Sequence, residues 1–116
     1  MNERRLPFIS TMIETQLTDV LHALGDPIRL AIVRELANEQ PRACGTFVHL
    51  GVSHSTLSHH FRVLREAGVI ETYAEGQRRL NTLRRDELDA RFPGLLDSVL
   101  VAPSRRSGPA RPISRR

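Results

Sequence analysis

Between Ser53 and Leu64 the chain carries Ser53, His54, Ser55, Thr56, Ser58, His59, His60 and Arg62, and no acidic residue. These side chains offer hydrogen-bond donors and acceptors, and His and Arg can also carry positive charge. Short hydroxyl side chains permit close approach, and Ser, His and Arg can each meet a base edge or a phosphate. The chemistry on offer is nucleic-acid recognition. An ordinary amphipathic surface helix usually mixes both charge signs on its wet face, so the missing acids carry information. Catalysis fits the inventory poorly, and the chain does not read as an enzyme. There is no phosphate-binding glycine loop, and a Ser and His cluster on one exposed face is badly placed to exclude water.

Those residues need a helix to hold them. Ser53 is a suitable N-cap, since its hydroxyl can accept from an unpaired amide of the first turn. Gly68 is the expected stop, where a residue without Cβ adopts the left-handed cap cheaply. Leu57, Phe61, Leu64 and Gly68 recur at helical spacing and form the buried stripe. The opposite face presents Ser55, His59 and Arg62, flanked by His54, Thr56 and Ser58. His60, beside Phe61, falls at the edge between groove and core and ranks below His59 for base contact.

A second helix should precede it. Residues 43–50, with Phe47, Val48 and Leu50, read as a short helix, and Gly51 turns the chain before Ser53. Two helices across a glycine turn, the second polar outside, make a helix-turn-helix. After Gly68 the pattern becomes extended, with Val69, Ile70, Thr72 and Tyr73 and then Leu80, Thr82 and Leu83. Glu75-Gly76-Gln77 forms the hairpin turn between them. Gln77, Arg78 and Arg79 then lie at the tip of a wing able to reach phosphates or the minor groove.

Upstream, Phe8, Ile9, Met12, Ile13, Leu17, Val20, Leu21 and Leu24 trace one apolar stripe, predicting a helix over residues 8–24. It is wide for so short a chain, which predicts that part of it meets a second copy. Phe8, Ile9, Met12, Ile13 and Leu17 are placed in that dimer interface, with Leu96, Val99 and Leu100 of the last helix. Asp26 and Pro27 cap and open a helix running to about Asn38. Asp86 is expected to cap a short helix to Arg91, and Pro93-Gly94 separates it from a final helix ending near Ala102. Residues 1–102 therefore read as one domain, mainly α with a small β-hairpin (α+β). Residues 103–116 read as a disordered tail rich in Arg, Pro and Ser.

At 116 residues the chain suits a single core, with 40% hydrophobic residues but only 4% aromatics to fill it. The net charge of +4 misleads, because five of the 17 basic residues lie in 103–116 with no acid, leaving residues 1–102 near −1. The basic part of the body is Ser53 to Arg85, with six Arg and three His against three Glu. One cysteine excludes an internal disulfide and fits a reducing cytoplasm. No apolar run reaches membrane-spanning length, so neither a membrane partner nor a signal peptide is expected.

These residues carry a family resemblance. Leu24-Gly25-Asp26-Pro27-Ile28-Arg29-Leu30 resembles the "L-x-x-P-x-R-x-x-I" opening of the ArsR/SmtB transcriptional regulators. Ser53-His54-Ser55-Thr56-Leu57-Ser58-His59-His60-Phe61 resembles their "S-x-x-T-v-S-x-H-L" recognition helix. Val63-Leu64-Arg65-Glu66-Ala67-Gly68-Val69-Ile70 resembles "v-L-r-e-A-G-l-V". The likeness covers about residues 8–102. It implies a dimeric winged helix-turn-helix repressor that binds double-stranded DNA at a pseudo-palindromic operator and is released by a ligand or metal. A winged-helix module that binds protein instead remains the alternative.

The sensing residues depart from the familiar members. Cys44 falls on the second cysteine of the family's "C-x-C" metal site, and Arg42 stands on the first. One thiolate does not hold a soft ion. The other familiar site uses His and carboxylates on the last helix, yet no His follows His60, and only Asp86, Glu87, Asp89 and Asp97 are offered there. No metal or other cofactor is expected at either site. A small-molecule effector of unassigned identity, oxidation at Cys44 and control by abundance are the readings left open.

Overall fold

A computed structural model describes residues 15–101 of the chain. Helix α1 runs Leu17–Leu24 and helix α2 Pro27–Asn38. A two-residue strand, β1 (Arg42–Ala43), leads into a 3-10 helix, Cys44–Leu50, bent at Phe47. Then come α3 (His54–Glu66), β2 (Ile70–Glu75), β3 (Arg78–Leu83), α4 (Arg85–Arg91) and α5 (Leu95–Val101). Among the described residues, no helix is long and apolar enough to cross a membrane.

Local chemistry sets the helix ends. Asp26 accepts hydrogen bonds from the amides of Ile28 (2.9 Å) and Arg29 (3.1 Å), with Pro27 at the start of α2. Burial alone would raise the Asp26 carboxyl, but those amides and the charge of Arg29 hold it below the usual range. Ser53 caps α3 by accepting from Thr56 N at 3.1 Å. Gly51 (φ 80°) takes the left-handed conformation that a turn between two helices requires.

The stripe over residues 8–24 does not form one helix across its length, because Gln16 is extended and α1 begins at Leu17. The reason lies next to it. A Cβ on Gly68 (φ 84°) would stand 2.6 Å from Thr15 Oγ1, so Thr15 occupies the space this glycine leaves. Thr15 is buried there, and its carbonyl accepts from Arg91 Nε at 2.8 Å. Residues 8, 9, 12 and 13 lie outside the described residues. Asp86 is not a cap either: α4 starts at Arg85, and Asp86 and Glu87 sit in its first turn, where the helix dipole favours acids.

The core gathers Val20 and Leu24 of α1, Ile32, Val33 and Leu36 of α2, Phe47, and Leu57, Phe61 and Leu64 of α3. Val69, Ile70 and Leu83 close it from the sheet, and Leu88 and Leu96 from the last two helices. Leu96 is thus wholly covered by its own chain (0% exposed), whereas Leu17 and Leu21 are 44% and 46% exposed.

The sheet is antiparallel in the order β1-β3-β2. Ile70 pairs with Leu83 at the buried end and Glu75 with Arg78 at the tip, leaving Gly76 and Gln77 as a two-residue loop. The strand β1 is an addition that the sequence pattern does not announce. Asn81 secures it, 1% exposed, donating from Nδ2 to the Arg42 carbonyl (3.0 Å) and accepting from Thr72 Oγ1 (2.7 Å). Asn81→Leu should leave these groups unpaired and lower stability by about 1–3 kcal/mol, measured by urea unfolding. An unchanged midpoint would show that β1 is held some other way.

Candidate nucleic-acid interface

Helix α3 stands on a rigid seat. It packs against α1, α2 and the 3-10 helix. Phe61 meets the Phe47 ring edge-on, with centroids 5.3 Å apart. The Arg42 guanidinium lies 4.2 Å above the Phe47 ring centroid and donates to Glu35 Oε1 at 2.9 Å. Arg42 also reaches the Thr46 hydroxyl and carbonyl, and His49 Nε2 is 2.7 Å from Glu35 Oε2. Burial would raise the Glu35 carboxyl, but the bonds from His49 and Arg42 hold it below its ordinary value. Glu35 therefore stays anionic and clamps the 3-10 helix to α2.

The position resembling the first metal-binding cysteine is thus filled by a fully engaged arginine. Among the described residues, no group of three or more His, Cys, Asp and Glu is placed to hold a metal ion. Cys44 is half-buried, with Asn81 Nδ2 3.9 Å from its sulfur. Burial pushes its thiol up, with Asn81, Arg65 and Arg79 opposing only in part, which leaves little reactive thiolate at neutral pH.

With the core face inward, every residue singled out on the other face is exposed: Ser53, His54, Ser55, Thr56, Ser58, His59 and Arg62. Three of them are partly engaged, since the Ser53 hydroxyl also donates to Thr56 Oγ1 at 2.9 Å and lies 3.4 Å from Ser55 Oγ. Ser55, Ser58, His59 and Arg62, together with His54, line one shallow concavity, and Arg65 completes its wall. Arg65 was legible three residues beyond Arg62 on the same face, but it lies past the acid-free stretch, next to Glu66. Gln77, Arg78 and Arg79 are exposed at the wing tip. His60 is not on this face. Its side chain is 11% exposed and turned inward, with Nδ1 3.1 Å from a terminal nitrogen of Arg29.

The chain is similar to known proteins in sequence and in fold. Residues 26–72, from the cap of α2 through α3 into β2, match the family model described as bacterial regulatory protein, arsR family. The chain is 33% identical over 82 residues to the uncharacterized HTH-type transcriptional regulator YceK of Bacillus subtilis, covering 69% of this chain and 82% of that one. It is 32% identical over 74 residues to the arsenical resistance operon repressor of Staphylococcus xylosus, covering 64% of this chain and 71% of that one. Among solved structures, it matches the homodimeric winged helix-turn-helix DNA-binding domain of a possible ArsR-family regulator from Mycobacterium bovis. That match has a TM-score of 0.59 at 24% identity and covers 85% of this chain and 86% of the other, a likeness of fold.

Proposed function

As the chain belongs to the ArsR family of bacterial regulatory proteins, we propose that it is a repressor that binds a pseudo-palindromic operator as a homodimer. The observation that carries this reading is the exposed face of residues 53–64, which holds no acid, together with the two exposed arginines at the wing tip. Base edges in the major groove are read by Ser55, His59 and Arg62, with His54, Thr56, Ser58 and Arg65 around them. Ser53 holds the first turn of α3 and faces the backbone. Gln77, Arg78 and Arg79 reach phosphates, which position the protein without selecting sequence.

Leu17 and Leu21, one helical turn apart and both about half exposed, support a second copy packing on α1. Val99 and Leu100 of α5, half-buried, are the other apolar residues offered to a partner. Replacing both Leu17 and Leu21 by Glu should yield monomers whose DNA affinity falls by orders of magnitude, read by sedimentation and gel shift. A double variant that stays dimeric would place the interface elsewhere.

Two-fold symmetry in the protein calls for matching half-sites about one helical turn apart, roughly 34 Å. Footprinting on a duplex selected from a random pool tests the reading. Two protected major-groove segments on one face of the DNA are expected. One asymmetric footprint, or no selected sequence, would overturn it.

A further inference from the structure

The inward-facing histidine of the recognition helix is the group that the DNA reading leaves unused. Arg29 is buried at the junction of three helices. Its Nε donates to the Ala23 carbonyl at 2.8 Å and one terminal nitrogen to the His22 carbonyl at 3.4 Å, both near the C-terminal end of α1. Its other terminal nitrogen lies 3.1 Å from His60 Nδ1 on α3. A guanidinium can only donate, so Nδ1 must present its lone pair and the ring proton must sit on Nε2. That Nε2 faces Asp26 Oδ2 at 3.9 Å, at the cap of α2. One arginine therefore ties α1 to the recognition helix, and the tie exists only while His60 is uncharged.

We propose that His60 is a positioning residue for DNA binding, whose neutral ring, held by Arg29, fixes α3 on α1, so that acidification releases the helix and weakens binding. The inference rests on the DNA-binding reading above. The groups facing the ring are Asp26 of α2, which favours its charged form, and Arg29 of α2 and His59 of α3, which oppose it. Burial is the largest influence, and the net effect holds the His60 pKa below the ordinary imidazole value. The unfolded chain therefore binds more protons as pH falls below about 6.5. The contribution of this contact is complete above that value and is lost as pH falls toward the depressed folded pKa. Acid adds positive charge to a protein surface, and on the face turned toward phosphate that charge favours binding. Loss of affinity in acid is thus a signature that the DNA face alone does not produce.

The test uses a duplex selected from a random pool at about pH 7.5, with affinity followed by fluorescence anisotropy down to about pH 5. Wild-type affinity should fall roughly tenfold per protomer, about a hundredfold for the dimer, for each pH unit below the His60 pKa, as the competent fraction shrinks. His60→Gln offers Arg29 an acceptor that does not titrate, so it should abolish the fall. Coincident profiles for wild type and His60→Gln would overturn the proposal while leaving DNA binding intact. Failure to select any duplex would instead overturn the DNA reading, and this inference with it. If His60→Gln does not fold, the ring ¹⁵N shifts of the wild type decide. Nδ1 should lack a proton at neutral pH and gain one where binding is lost, whereas a ring still neutral after binding is lost would overturn the proposal.

Discussion

Phe61→Ala should destabilise the protein by about 3–5 kcal/mol, the range for truncating a fully buried aromatic ring. Phe61 is 2% exposed, and its loss also removes the edge contact to Phe47 that joins α3 to the 3-10 helix. Small domains are stable by only about 5–15 kcal/mol, so much of the margin disappears. Urea unfolding should show the loss directly, and the melting temperature should drop by more than about 12 °C. The scarcity of aromatics sharpens the expectation, because few bulky neighbours can collapse into the cavity. A cost under about 1 kcal/mol would mean that α3 is seated by its caps and polar ties rather than by this ring.

The second large effect concerns the wing. Replacing Arg78 and Arg79 together by Ala should weaken all DNA sequences alike. Each phosphate contact contributes about 0.9 to the slope of log affinity against log salt. A dimer losing four such contacts should bind on the order of 10³–10⁴-fold more weakly at about 0.1 M salt, with a visibly flatter slope. His59→Ala should behave differently, costing about 1–3 kcal/mol at one base position and relaxing the preference there. Selection experiments on both variants separate the roles. A wing variant with altered specificity, beside an unaltered His59 variant, would reverse the assignment.

The helix-turn-helix and the wing were legible in the sequence because their signals are local. Ser53, Gly51, Gly68 and Gly76 punctuate the chain through backbone conformation and capping, which depend on few neighbours. Leu57, Phe61 and Leu64 declare a buried face by spacing alone. What the sequence hid depends on residues far apart in the chain. β1 forms because Asn81 reaches Arg42, and two residues carry no strand pattern of their own. The start of α1 at Leu17 follows from Thr15 fitting against Gly68, which helical periodicity cannot express. His60 looked like an edge residue, since only the fold brings Arg29 to it. Leu96 shows the same limit, because spacing predicts an apolar face but not whether its own chain or a partner covers it.

The central claim is that α3 reads base sequence in duplex DNA. Its most direct test is a competition gel shift at roughly 0.05 M and 0.2 M salt, with a selected duplex against a scrambled one of equal length. Total affinity should fall steeply between the two salt concentrations while a preference for the selected duplex of about 10³-fold or more survives. Equal competition by the scrambled duplex, or binding that ignores salt, would contradict it and point to a protein partner for this face instead.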